Sequence, residues 1–555
     1  MLKDGQLYIA HSENGNINLI GKMANRHGLI AGATGTGKTV TLQVLAETFS
    51  QAGVPCFMAD MKGDLSGISQ PGRLSGFIEK RMPEFGIENP QFAGCPTRFF
   101  DVFGEQGFPM RATVSAMGPQ LLARLMELTE VQAGVLNAVF RIADDNNLLL
   151  IDLKDLKLML DFVGKNAAKF TTEYGNIAPA SIGAIQRSVL QIESEGGDKF
   201  FGEPAFEVED LFAVENGRGV MNVLAADKLM LNPKLYSTYL LWLITELYAK
   251  LPEVGDLELP KFVFFFDEAH MLFDGTSKAL VDKIEQVIRL IRSKGVGIYF
   301  ITQVPSDVPV NVLAQLSNRV QHALRAYTPQ DQKTVRAAAE TFRTNPAFKT
   351  EDAILDLGTG EALVSFLDEK GAPSVVERAK ILFPLSQIGA ITPGQRLDIQ
   401  AAAPDRLKDY EKFFDRESAY EVLTEANEKA EKQKEKEAKA AEKEKEKKAK
   451  EKEKKSSSKS KKGGIGRTIF GTMIAAAATS FARSAGTSIA KSIGSSKSKK
   501  STSSSKKTTT TKKSGTSTKS SSGSILGDAV KKATKTAANT ATRKVTTEIL
   551  KSIFS

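Results

Sequence analysis

Gly32-Ala33-Thr34-Gly35-Thr36-Gly37-Lys38-Thr39 satisfies the pattern G-x-x-x-x-G-K-[ST], and residues of those types at that spacing bind the phosphate chain of a nucleotide. The glycines allow backbone N–H groups to converge on phosphate oxygens, and Lys38 brings a positive charge to the β- and γ-phosphates. Thr39 supplies a hydroxyl suited to Mg²⁺, so the cofactors expected are ATP and Mg²⁺. A second, acidic element should accompany such a loop, because the metal and an attacking water both need a carboxylate. Asp267 and Glu268 follow the apolar run Lys261 to Phe266 and meet that need. Asp267 would bind Mg²⁺ through water, and Glu268 would polarise the water that attacks the γ-phosphate. Gln303 follows the run Gly297 to Ile301 and offers a neutral amide to sense the γ-phosphate, while Asp60 ends a further run, Pro55 to Ala59.

These side chains need elements to position them. Gly28 to Ala31 reads as a short buried strand, and Val40, Leu42, Val44, Leu45 and Phe49 recur at helical spacing up to Gln51, before Gly53. Strand, glycine loop, helix is the context a phosphate loop requires. The runs before Asp60, Asp267 and Gln303 read as strands too. All four tips would then lie along the carboxyl edge of one parallel sheet, where such sheets bind ligands. The fold class expected is α/β with a mainly parallel sheet.

With 555 residues and 41% hydrophobic residues, the chain can bury a sizeable core and hold two or three domains. The net charge of +10 is unevenly placed: residues 401–555 carry 37 Lys+Arg against 18 Asp+Glu, a net of +19, and residues 1–400 carry 38 against 47, a net of −9. The global charge therefore says nothing about nucleic-acid binding by the part that holds the phosphate loop. Two cysteines, Cys56 and Cys95, exclude a disulfide framework and a cysteine-based zinc site, and the four histidines show no metal-ligand spacing. The amino-terminal residues lack the apolar run of a signal peptide and no stretch of about 20 apolar residues occurs, so a cytoplasmic location is expected.

Residues 1–400 read as one folded unit with a helical insertion over about 70–230, including helical patterns around Pro119–Ala143, and a further helical pattern at Tyr236–Leu251. Residues 401–460 read as a charged helix without an apolar seam. An amphipathic segment over 461–494, a Ser/Thr/Lys-rich disordered linker over 495–524 and a basic amphipathic helix over 525–555 follow.

As a set, Gly32 to Thr39, Ala59-Asp60-Met-Lys-Gly-Asp64, Phe266-Asp-Glu-Ala-His270 and Ile301-Thr-Gln-Val-Pro-Ser306 resemble the HerA–FtsK superfamily of hexameric DNA-pumping ATPases. Leu128 to Leu136 and Leu149 to Leu156 are similar to segments of bacterial HerA-like helicase proteins. The resemblance spans most of residues 1–400 and implies a RecA/FtsK-like P-loop ATPase domain. It also implies a ring of six copies, with arginines supplied in trans to the γ-phosphate. The matching positions are Arg289, Arg292 and Arg319; from the sequence alone, each can equally be a solvated helix charge. HerA itself carries a β-barrel ahead of its phosphate loop, and only 31 residues precede Gly32 here, so that barrel is expected to be absent. Asp267 to His270 also matches the tetrapeptide of a larger helicase superfamily, but no Ser-Ala-Thr follows it.

Three functions compete. The first is a hexameric, DNA-stimulated ATPase, a helicase or translocase. The second is an ATP-switched assembly or scaffold protein whose tail, +17 over residues 461–555, docks on an anionic membrane or a partner protein; DNA tethering explains the same charge. Small-molecule phosphoryl transfer is the third, and Glu268 with Gln303 favours water over such an acceptor.

Overall fold

The computed structural model describes residues 2–3, 5–273 and 278–457. Its strands are β1 (Leu2–Lys3), β2 (Gln6–Ser12), β3 (Gly15–Leu19), β4 (Gly28–Ala31), β5 (Cys56–Asp60), β6 (Thr97–Asp101), β7 (Phe108–Pro109), β8 (Val214–Glu215), β9 (Arg218–Gly219), β10 (Met221–Ala225), β11 (Phe262–Phe266), β12 (Val296–Thr302), β13 (Asn318–Gln321), β14 (Glu361–Ser365) and β15 (Glu377–Ile381). All but the small β8–β9 ribbon join one 13-stranded sheet, ordered β1-β2-β15-β14-β13-β4-β12-β11-β5-β10-β6-β7, with β3 on β2. From β13 to β7 every pairing is parallel. β14, β15, β2, β1 and β3 extend the other side antiparallel.

The sequence of the central strands explains this arrangement. A parallel strand covered on both faces is apolar at every position, and β11, Phe262-Val-Phe-Phe-Phe266, is buried throughout. Phe262, Phe264 and Phe266 join one core, while Val263 and Phe265 join the other, beneath the helix Lys38–Gln51. Pairing Thr302 with Ala31 and Phe266 with Phe300 ends β4, β12 and β11 at one carboxyl edge.

The boundaries differ from expectation in three places. Residues 70–230 are not one helical insertion, since β6, β7 and β10 belong to the main sheet. The helical part runs from Val114–Leu125 through Glu130–Asp145, Leu153–Lys165 and Ala167–Tyr174 to Pro179–Ile192. Short apolar runs such as Met221–Ala225 cannot be told from buried helix by periodicity, which is why the insertion looked wider. The pattern over Pro119–Ala143 is two helices, and Thr129 with Gln132 forms a capping box that starts the second.

The folded unit also does not end at 400. Leu407, Tyr410, Ala419 and Leu423 are buried in the larger core, and described residues up to Ala426 form one compact unit. Tyr410 donates to Asp210 at 2.6 Å and accepts from the Glu207 amide at 3.0 Å. The charged helix starts later than expected, at Ala419, and runs to Ser457. Within Asn427–Ser457, Glu428–Lys432, Glu435–Lys439, Glu444–Lys448 and Glu446–Lys450 pair at i,i+4, the orientation that favours helix. The segments expected over 461–494, 495–524 and 525–555 lie outside the described residues. Among the described residues no helix is long and apolar enough to cross a membrane.

Candidate functional site

The glycine loop leaves β4 at Ala31 and enters the helix Lys38–Gln51. Gly37 caps that helix with φ 117, a left-handed backbone that a side chain would strain. Gly32 is required by close approach: a Cβ there would stand 2.5 Å from the Cβ of His322. His322 buttresses the loop from behind. Its amide donates to the Ala31 carbonyl at 2.7 Å, its Nε2 meets the Thr41 hydroxyl at 2.8 Å, and its Nδ1 meets the Glu361 carbonyl at 2.9 Å. Burial pulls the ring's pKa down to about 4, with the Lys38 charge adding to the effect, so His322 is a neutral support.

Backbone bonds tie the loop to its neighbours on both sides. The Gly32 amide donates to the Gln303 carbonyl at 3.1 Å and to that of Thr302 at 3.3 Å; Ala33 donates to Ala323 at 2.9 Å. On the outer side, the Gly360 amide donates to the Thr36 carbonyl at 3.0 Å. Lys38 folds back over the loop, donating to the carbonyls of Gly32 at 2.6 Å and Ala33 at 3.2 Å. Burial lowers its pKa, while the charges of Glu268 and Asp267 act in the opposite sense. The loop from Gly32 to Thr39, with Ala33, Thr34, Gly35 and Thr36 between the two glycines discussed, thus forms a helix-capping cradle of the kind that receives an anion.

Asp267 and Glu268 follow β11, two strands from β4 with β12 between. Burial, reinforced by Glu268, pushes the Asp267 pKa up to about 7. Two adjacent carboxyl groups in a low-dielectric pocket call for a cation. With the Thr39 hydroxyl on the first turn of the helix, the donors are all oxygens, the set that suits Mg²⁺. Glu268 has left-handed backbone (φ 48), a sparsely populated conformation for a residue with a side chain. Its Oε1 pairs with Lys62 Nζ at 3.0 Å, and its Oε2 lies 3.5 Å from His270 Nδ1. Gln303, exposed at the end of β12, shares with Glu268, Lys62 and His270 the lining of a cavity of about 510 Å³. Asp307 fixes the backbone around Gln303 by accepting from the Thr302 hydroxyl at 2.6 Å and the Val304 amide at 3.0 Å.

Asp60 and Arg319, two of the residues expected at the site, are placed differently. Asp60 is 2% exposed on β5, separated from β4 by β11 and β12. Its Oδ2 accepts from the Ser66 amide at 3.1 Å, and burial, then Asp64, raises its pKa to about 6. It shapes the turn that carries Lys62 and does not face the glycine loop. Arg319 is spent on backbone: its guanidinium donates to Leu316 at 3.1 Å, Thr341 at 2.6 Å and Leu313 at 3.3 Å. A trans-acting arginine needs a free fork, so Arg319 is corrected to a structural clamp. Arg289 is exposed and Arg292 half-buried, both just before β12 and so at the amino edge, away from this chain's own glycine loop.

Lys62 and His322 are neighbours of the candidate site that sequence reasoning did not place there. Lys62 was visible as a charge after a strand tip, but its partner lies 206 residues away. His322 depends on β13 pairing with β4, which no local pattern reveals.

Among solved structures, the chain is similar to the bacterial conjugative coupling protein TrwBdeltaN70 in its unbound monoclinic form, with 15% identity, coverage of 68% of this chain and 89% of that one, and a TM-score of 0.46. It is similar to VirB4 of Thermoanaerobacter pseudethanolicus at 14% identity, covering 68% of this chain and 97% of that one, with a TM-score of 0.44. The plasmid coupling protein TrwB in complex with ADP and Mg²⁺ gives 16% identity, 67% and 88% coverage, and a TM-score of 0.45. No curated protein matches the chain. The sequence profile described as Helicase HerA-like C-terminal matches residues 6–500, and the chain belongs to that family.

Proposed function

We propose that the protein hydrolyses ATP and uses the energy to move on DNA as a ring of six copies. The observation that carries this reading is the meeting of four features along one sheet edge: the glycine loop, Asp267, Glu268 and Gln303. The glycine loop and Gln303 are coupled directly, since the Gly32 amide is bonded to the Gln303 carbonyl. In this reading Lys38 and the loop amides hold the phosphates, Thr39 and Asp267 hold Mg²⁺, Glu268 draws a proton from the attacking water, and Gln303 registers the γ-phosphate. Mg²⁺ supplies charge neutralisation on the phosphate oxygens when bound. Arg292 or Arg289, on the opposite edge of the sheet, completes the site of the next copy.

Removing the base while keeping the cradle tests this directly. Glu268→Gln should bind ATP as the wild type does, turn it over about 10²–10⁴-fold more slowly, and accumulate as six-fold rings in particle images with ATP. Full turnover by that variant, or single copies under those conditions, would overturn the reading.

A further inference from the structure

We infer that Lys62 is a lock on Glu268: it keeps an oxygen of the base in an ion pair until a phosphate of the DNA backbone takes the lysine. The inference rests on the proposed motor function and deepens it by naming how DNA would switch hydrolysis on.

The order of strands sets the lock beside the base. The glycine loop follows β4, which lies on one side of β11 across β12, and Lys62 follows β5, on the other side of β11. The ion pair between Lys62 Nζ and Glu268 Oε1, 3.0 Å long, joins the two strand tips, while Glu268 stays close enough for its charge to act on Lys38. A carboxylate oxygen that accepts from an ammonium is occupied, and a general base must reach the water's proton directly. The left-handed backbone at Glu268 adds a conformation that is retained only where the surroundings over-determine it.

The lock is also open to an outside ligand. The Lys62 side chain is 52% exposed, against 16% for Glu268, so an approaching anion reaches the lysine first. It lines the 510 Å³ cavity together with two further cations, Arg124 and Lys234. Lys234 is paired with Glu127 at 2.6 Å, and Arg124 reaches Ser237 Oγ at 3.2 Å and the Leu272 carbonyl at 3.3 Å. Phosphodiesters spaced along a strand suit several cations along one wall better than a single carboxylate does, because each contact is a charge-assisted bond. An exposed ion pair is worth little on its own, which makes Lys62 easy to draw off.

Two measurements on the full chain test this. In ATP turnover without DNA, Lys62→Met should raise kcat several-fold at unchanged KM, lose most of the further stimulation by double-stranded DNA, and be restored to wild-type behaviour by Lys62→Arg. In the nucleotide-free protein, an amine-acylating reagent read by mass spectrometry should modify Lys62 several-fold faster in Glu268→Gln than in the wild type. Basal turnover in Lys62→Met that is unchanged or reduced, or equal labelling of Lys62 in both proteins, overturns the lock. The two ideas fail separately. DNA-stimulated wild-type turnover with no rise in Lys62→Met sinks the lock and leaves the motor. A raised basal rate in Lys62→Met with no wild-type response to DNA keeps the lock but sinks the DNA trigger and the motor.

Discussion

Arg319 shows how a side chain's bonds decide its role. Three backbone carbonyls from two segments converge on its guanidinium, and a bond to a charged donor contributes about 1.5–3 kcal/mol where it is buried. Arg319→Ala should therefore lower unfolding stability by roughly 2–4 kcal/mol in a denaturant titration, while turnover per folded chain stays near the wild type. Loss of turnover with stability intact would restore it as a trans-acting residue. His27 makes a parallel case through pH. Its Nε2 faces the Ile288 carbonyl at 2.8 Å and its Nδ1 accepts from the Ile298 amide at 3.0 Å, so both nitrogens of a neutral ring are satisfied. Burial lowers its pKa to about 4 from the usual 6.5. Between those values the unfolded chain takes up a proton that the folded chain refuses, so this stability is complete above pH 6.5 and is lost as pH falls toward 4. Lowering pH from 7 to 5 should cost the wild type roughly 2 kcal/mol more than it costs His27→Gln, read as the difference between their denaturant midpoints.

At the scale of elements, the segment after residue 400 is the most instructive. Arg111 donates to the Tyr410 carbonyl at 2.6 Å, Asp155 Oδ1 accepts from the Ser418 hydroxyl at 2.5 Å and the Tyr420 amide at 2.9 Å, and Arg416 pairs with Glu203 at 2.8 Å. A chain ended at 426 should keep the cooperative unfolding and ATP turnover of the full protein. One ended at 400 strips cover from the larger core and should unfold at lower denaturant or aggregate; equal stability of the two would contradict the boundary. The sequence could not reveal this strap, because its apolar residues are few and its partners lie 200 or more positions upstream. The strands and helix around Gly32 to Thr39, by contrast, were legible to within a residue at each end. Their signal is local: an uninterrupted apolar run, glycines at fixed spacing and then a 3.6-residue period. Asp267, Glu268 and Gln303 were legible as strand tips for the same reason. What stayed hidden was lateral order, which sets Lys62 beside Glu268 and withdraws Asp60 from the glycine loop.

For the whole molecule, charge and architecture point to a division of labour. In the proposed motor, the −9 over residues 1–400 would leave DNA contact by the folded unit to local groups such as the cations around the Glu268 cavity, while the basic stretch beyond residue 460 would tether without chemistry. If the tail alone bound DNA, binding and turnover would be independent. A motor requires them to be coupled, since energy released at the glycine loop must depend on what the ring holds. The most direct measurement is therefore ATP turnover by the full chain at low salt, with and without double-stranded DNA, beside Glu268→Gln as the blank. The account predicts turnover that rises several-fold with DNA and disappears in the variant. Turnover that is the same with and without DNA, or that persists in Glu268→Gln, would contradict it.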